Sequence, residues 1–324
     1  MPEPLKILIS IIGDPQHYRC AVYHYSSETE NKEVRRMGRF SSSILLDAER
    51  PGKSILIGQY TLAKRGGSFE DLHRETVKAL CEGTDDVGRF TDVIIAPGVA
   101  HIIDRSSKKE FNYKGDIFNF YAYVLYSLAR IFEGLSGDVE VVLDLTHGIN
   151  YMGYLTLRAV NLVLDIYSMV NNVTLKIVNS DPYPQGWESQ ALPDLYMNVV
   201  LKKVITPTLN YPTSSRTEML HPYSDSNEEK ERLGKELRAS LSTDLMECVR
   251  NQEYFINAIN RGALLAAYTF ADDFGKCVDW AVNYFIENIV INDTQSFTVT
   301  PKYSFTETFE SLVIAEMIKK VTGI

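Results

Sequence analysis

Over roughly its first 205 residues the chain alternates short β-branched, apolar runs with longer stretches of helical period, and this alternation is its strongest constraint on fold. Strands separated by helices pair in parallel, because a crossover must return the chain to the same end of the sheet. Residues 5–12 (LKILISII) read as a buried first strand, 54–60 (SILIGQY) as a second and 91–95 (TDVII) as a third. Residues 139–145 (VEVVLDL) and 174–178 (TLKIV) continue the series, and 195–205 is expected at a sheet edge. Residues 20–25 form a further short apolar run. Helices are expected at about 69–81, 115–133 and 150–169. The helix at 115–133 keeps only a thin polar stripe, which suits a crossover helix in the core better than a dimer face. The fold class expected for residues 1–205 is therefore α/β, a Rossmann-like parallel sheet flanked by helices.

The character changes at 206–227, a stretch rich in Pro, Ser, Thr and Asn that reads as a linker. Residues 228–324 read as mainly helical: a charged helix to about Cys248, a long helix over 253–289, a small hairpin at 296–303 and a last helix at 306–321. A chain of 324 residues is expected to divide in this way, since single cores rarely grow further.

Charge and cysteine content exclude several classes. With 33 basic and 42 acidic residues the net charge is −9, which argues against indiscriminate duplex binding through many phosphates. Cys20, Cys81, Cys248 and Cys277 include no CxxC pair, and the six histidines are scattered, so no metal or other cofactor is expected. The opening MPEPLKILISIIGDP is too broken for a signal peptide, and no apolar run approaches the roughly 20 residues that span a bilayer. A soluble, cytoplasmic protein without a membrane partner is expected.

In open α/β sheets ligands bind beyond the carboxyl ends of the strands, where strand order reverses. The residues there are Gly13-Asp14-Pro15-Gln16, Gln59-Tyr60-Thr61, Pro97-Gly98, Thr146-His147-Gly148-Ile149-Asn150 and Asn179-Ser180-Asp181. These loops are small, polar and poor in carboxylates, which suits a phosphate-bearing ligand better than proton abstraction. In DLTHGINYM, Gly148 permits close backbone approach, and the start of the following helix offers N–H groups to phosphate. Thr146 and Asn150 can cap that helix or meet a ligand. The structural alternative is that Asp144 and Thr146 tie off a strand while His147 bonds a neighbouring loop. The Gly13-Asp14-Pro15 turn alone favours a structural role. There is no GxGxxG, GxxxxGK[ST] or HExxH, so nicotinamide, P-loop and zinc-protease readings lose their support.

Together, IIGDPQHY, the Pro-Gly after Ile95, DLTHGINYM and the NSDP turn resemble the CARF domain of accessory ribonucleases of type III CRISPR systems, which pair a CARF sensor with a helical HEPN effector. The resemblance spans about residues 5–205. It implies a homodimer whose two CARF domains form a pocket for a cyclic oligoadenylate, most often cyclic tetra-adenylate; a two-fold ring suits a self-complementary interface. It also implies that Gly13, Asp14 and Gln16 approach the ring from the first strand, and that Thr146, His147, Gly148 and Asn150 meet phosphate and ribose. The effector would be a metal-independent endoribonuclease acting on single-stranded RNA through an Arg-x4-His motif.

Here the sequence departs from the pattern, because no histidine follows His221. Two strings have the spacing: Arg19 to His24 inside the sensor domain, a chance match, and Arg216 to His221 in the linker, where a flexible segment would hold a catalytic pair poorly. Arg216 and His221 are thus weak candidates. An effector domain that stops short of its catalytic end, or has lost it, is the simpler expectation. Two alternatives stand beside a ribonuclease controlled by the ring. A ring nuclease would cut the ligand in the CARF pocket itself. A ligand-controlled transcription regulator is disfavoured, because EEKERLGKELR mixes both charge signs evenly.

Overall fold

A computed structural model describes residues 3–27, 32–84, 86–104, 108–186 and 191–324, with the side chains of Ser27, Lys32 and Asn150 outside that description. Strand β1 (Leu5–Ile11) is followed by a hairpin, β2 (Ala21–Ser27) and β3 (Lys32–Gly38), then by helix α1 (Ser42–Glu49). Strand β4 (Lys53–Gln59), helix α2 (Phe69–Gly83) and β5 (Asp92–Ala96) come next, with a second hairpin of β6 (Ala100–Ile103) and β7 (Glu110–Tyr113). Helix α3 (Phe118–Glu133), β8 (Val139–Asp144), α4 (Asn150–Tyr167), β9 (Val173–Ser180) and β10 (Asp194–Ile205) complete the α/β part.

Eight strands form one sheet in the order β3-β2-β10-β9-β8-β1-β4-β5. From β5 through β4, β1 and β8 to β9 every pairing is parallel. Strand β1 is apolar on both faces because both are covered. Ile7, Ile9 and Ile11 join the core of α3 and α4, whereas Leu8 and Ile12 join that of α1 and α2. This two-sided burial makes the strand read as a hydrophobic run with only Lys6 and Ser10 polar. The chain leaves β1 toward β4 and β5, then returns to β8 on the other side, so strand order reverses between β1 and β8.

Several expectations need correction. Strand β10 is not an edge strand: it runs antiparallel to β9, and residues 194–196 pair in parallel with β2. The hairpin that extends the sheet was hidden because β3 (KEVRRMG) is mostly charged. Residues 296–303 do not form a hairpin on themselves. Strand β13 (Phe297–Pro301) pairs antiparallel with β12 (Ile289–Asp293) and parallel with β7, while β14 (Tyr303–Phe305) pairs with β11 (Leu220–Pro222).

The two helices expected across 228–289 are four: α5 (Asn227–Ser240), α6 (Thr243–Asn260), α7 (Leu264–Phe270) and α8 (Phe274–Glu287). Ser242 and Asp273 begin α6 and α8 by accepting from the amides of Leu245 and Lys276. Gly262, at φ +67°, turns the chain after α6. The last helix, α9 (Glu307–Thr322), packs against α3 and α4, so one core runs from the sheet into the helical part. Residues 206–227 are exposed over most of their length but pinned at points, with Tyr211, Ser214, Met219 and Leu220 buried. Asn260 brackets Tyr211 with two backbone bonds, and Gln252 donates to the Ser214 carbonyl at 2.7 Å. No helix among the described residues is long and apolar enough to cross a membrane.

Candidate functional site at the carboxyl edge of the sheet

The loops after β1 and β8 meet at the point where strand order reverses. A Cβ on Gly13 would lie 3.8 Å from the Gly148 Cα, and a Cβ on Gly148 would collide with Ile11 Cδ1 at 2.6 Å. The first distance is ordinary contact and shows that the two loops meet; the second makes Gly148 the position that close approach restricts, and neither glycine has an unusual φ.

Two cavities open on either side of this contact. The first, about 710 Å³, lies toward β9 and β2, with Thr146, His147, Asn179, Ser180, Tyr183 and Arg19 in its wall. The second, about 770 Å³, lies toward α2 and the β6–β7 hairpin and includes Asp14, Gln16, Lys64, Arg65 and Lys78. His17 borders both. The candidates thus divide: Thr146 and His147 face the first cavity, Asp14 and Gln16 the second, and Gly13 and Gly148 lie between. Asn150 begins α4, but its side chain lies outside the described residues.

Around His147 the site is built from distant segments. Asp144, 1% exposed, accepts from Ser41 Oγ at 3.0 Å, Ser42 Oγ at 2.7 Å and the Thr146 amide at 2.9 Å. These bonds dock the start of α1 onto the end of β8. The Ser41 amide donates to His147 Nε2 at 3.1 Å. The imidazole stacks on Tyr18, with centroids 4.2 Å apart and planes at 23°, and Phe40 packs at 5.5 Å. Tyr18 in turn accepts from the Gly13 amide at 2.7 Å, which ties the first loop to the second. Burial pushes the His147 imidazole down to about 4, against the opposing pull of Asp144. Burial likewise raises the Tyr18 phenol.

The structural alternative for DLTHGINYM holds in part. Thr146 does not cap α4: its Oγ1 accepts from the Ser180 amide at 3.1 Å and joins the ends of β8 and β9. Helix α4 starts at Asn150, after an Ile149 N-cap that offers no side-chain bond; the Ile149 amide donates to Met152 Sδ at 3.4 Å and the Met152 amide to the Ile149 carbonyl at 2.8 Å. Asp14 accepts from the Gln16 amide at 3.0 Å, a turn-closing role. In the NSDP turn, Asp181 accepts from the Tyr196 amide and from Asn198 Nδ2.

Tyr18, Arg19, Ser41, Ser42 and Tyr183 escaped the sequence reading. The serine run at 41–43 before an apolar triplet was the available signal, since serines favour helix starts. Arg19 is the one guanidinium on the first cavity among the described residues, and it lies 5.4 Å over the Tyr183 ring.

The Arg-x4-His strings fare differently. His24 sits on β2 between Glu33 (2.9 Å) and Asp194 (2.7 Å), a structural setting. His221 lies on β11, paired with Ser304, and the Arg216 carbonyl accepts from Thr308 Oγ1 at 3.1 Å. The segment between them is anchored to α9 rather than flexible, and both side chains reach the surface. Among the described residues no three His, Cys, Asp or Glu side chains gather as a metal site would require.

A family model described as CRISPR system endoribonuclease Csx1, CARF domain, matches residues 7–182. The CRISPR system endoribonuclease Csx1 of Methanocaldococcus jannaschii is 28% identical over 332 residues, an alignment covering 98% of this chain and 67% of that protein.

Proposed function

Since this chain belongs to the CARF-domain family of the CRISPR system endoribonuclease Csx1, we propose that its carboxyl-edge cleft binds a cyclic oligoadenylate and thereby controls RNA cleavage by the helical part. The observation that carries this reading is the meeting of the β1 and β8 loops at the strand-order reversal, beside a polar cavity that carries the Arg19 guanidinium. Such a cavity supplies hydroxyls and one cation to phosphate oxygens, and aromatic rings (Tyr18, Tyr183) to bases. A second copy related by a dyad would double the set, as a ring of repeated phosphates requires.

The RNA-cleaving pair that fits best is Arg216 with His221, because the segment that carries them is anchored to α9 and β14. Desolvation keeps the His221 imidazole below its ordinary value, so it is neutral at neutral pH and able to take a proton.

Titration calorimetry with cyclic tetra-adenylate tests the binding step. Heat saturating at one ring per two chains is expected, together with a rise in melting temperature. Arg19→Ala removes a charge-assisted contact and should weaken binding by roughly 10- to 100-fold. Absence of both heat and melting shift at saturating ring would end the proposal. With single-stranded RNA present, cleavage should appear on adding the ring and vanish in His221→Ala; cleavage that persists in this variant assigns the chemistry to other residues.

A further inference from the structure

We infer that His147 is locked as the neutral tautomer carrying its proton on Nδ1, and that it presents this N–H to an oxygen of the ligand, with Ser41 as the positioning residue. The second half of this inference rests on the function proposed above; the first half does not.

A backbone amide can only donate, so the Ser41 N–H obliges Nε2 to offer its lone pair. A neutral imidazole with a lone pair at Nε2 carries its proton on Nδ1. Nδ1 has no hydrogen-bond partner among the described residues, yet it is not one of the buried polar atoms left unsatisfied, so it opens to the cavity that His147 lines. Rotation of the ring is blocked on both flanks. Tyr18 stacks against it, and Phe40 packs beside it. The amide that sets the tautomer is itself fixed, because Ser41 and Ser42 both bond Asp144 through their hydroxyls.

The consequence is chemical. A general base must aim a lone pair at the proton that it removes, and the one lone pair of this ring is turned into the protein. His147 therefore donates to phosphate or hydroxyl oxygen and does not deprotonate a ribose 2′-hydroxyl. Ring cleavage in this cleft, if it occurs, does not use His147 as base. The ionisable groups around the ring are Tyr18 and His17 from the β1 loop and Asp144 from β8, with Tyr23, Arg19, Asp181 and Tyr183 across the cavity. A tautomer fixed in this way keeps the His147 donor unchanged across the neutral range, where a free histidine would titrate.

The test has two independent arms. On the full chain labelled with ¹⁵N-histidine, long-range ¹H–¹⁵N correlation should show His147 with a protonated Nδ1 and an unprotonated Nε2 from about pH 5 to 8. Ser41→Pro deletes the amide at a φ of −61°, which proline accepts, and should populate the second tautomer. An unprotonated Nδ1, or a charged ring near neutral pH, would overturn the lock whatever the ligand does.

In the second arm, calorimetry with cyclic tetra-adenylate compares His147→Asn, whose amide can stand where Nδ1 stood, with His147→Gln and His147→Ala. The Asn variant should bind within about tenfold of the parent, while Gln and Ala lose roughly 10- to 100-fold. A Gln variant that binds better than Asn would show that the ring meets Nε2 and would refute the donor. A correct tautomer with no ring binding by the parent chain would leave the lock standing and remove the function proposed above.

Discussion

Glu49 and Glu310 are both buried carboxylates that tie a helix to its neighbours, but their surroundings differ. Glu49, at the end of α1, accepts from Lys176 Nζ on β9 (3.0 Å), Lys6 Nζ on β1 (3.1 Å) and the Tyr25 hydroxyl on β2 (2.5 Å). The Lys176 and Glu49 side chains are each 1% exposed, so this cluster is sealed within the α/β part. Glu310, on α9, accepts from the Tyr121 hydroxyl on α3 (2.6 Å) and Arg158 on α4 (2.8 and 3.0 Å). Arg158 lies 4.2 Å over the Tyr121 ring with its side chain 44% exposed. The first cluster closes the α/β layers around the helix whose other end positions His147. The second joins α4, which starts at the candidate site, to the helical part. A charge orphaned in the sealed cluster has no water to turn to, whereas the guanidinium in the second can be hydrated again.

The largest effect should follow from Lys176→Met, which leaves Glu49 short of its closest cation. Removing one partner of a buried pair costs about 3–5 kcal/mol, read from urea unfolding. Its pH dependence has a definite sign. Burial alone would raise the Glu49 carboxyl, but hydrogen bonds from Tyr25, Lys176 and Lys6 hold it below its ordinary value. A depressed carboxylate contributes stability that is complete above its unfolded value of about 4.3 and is lost as pH falls through the folded one. The parent chain should therefore lose stability below about pH 4.3 more steeply than Lys176→Met does. A depressed histidine acts in a higher window. His147, at about 4, makes stability fall as pH drops from about 6.5 toward 4, in the parent and in Lys176→Met alike.

Glu310→Ala should cost less, about 1–3 kcal/mol, because the Tyr121 hydroxyl loses its acceptor while Arg158 regains water. A loss equal to that of Lys176→Met would mean that exposure does not separate the two clusters. The more informative readout is coupling. If α4 links the site to α9, the melting shift produced by cyclic tetra-adenylate should shrink in Glu310→Ala, although residue 310 lies outside the cleft. An unchanged shift would confine the Arg158–Glu310 bridge to holding the fold.

How much of this was legible in the sequence depends on how far apart the partners lie along the chain. The parallel strands could be read because burial on both faces keeps them mainly apolar, as in LKILISII and VEVVLDL, where Lys6, Ser10, Glu140 and Asp144 are the polar exceptions. The loops after β1 and β8 followed from the rule that ligands gather where strand order reverses. Their division between two cavities did not, since it depends on where α2, the β6–β7 hairpin and β2 fall in space. Strand β3 was obscured by its charges, and the role of Ser41 by the 106 residues that separate it from His147. Residues 206–227 looked loose because their contacts are made by Gln252, Asn260 and Thr308, far along the chain, and not by any local period. The helix breaks at Ser242 and Asp273 had recognisable capping residues, which the surrounding apolar spacing outweighed.

The smallest effect completes the contrast, because it takes the same chemistry and removes burial altogether. On α5, Arg232 bonds Glu229 at 2.9 and 2.5 Å and also Glu236, and all three side chains are exposed. These are as close as the contacts of Glu49, so geometry alone would rank the two clusters together. Water separates them: the exposed pairs give up hydration and side-chain freedom for little gain. Arg232→Ala should therefore shift the melting temperature by about 2 °C or less, and raised salt should shrink that shift further. Helix α5 holds on through Leu233 and Leu237, which are buried, and not through its charges. A melting shift in Arg232→Ala as large as that of Glu310→Ala, and insensitive to salt, would exceed what exposed pairs supply. It would mean that the charged face of α5 is covered in solution by another surface, and the ranking of the three clusters by exposure in a single chain would no longer hold.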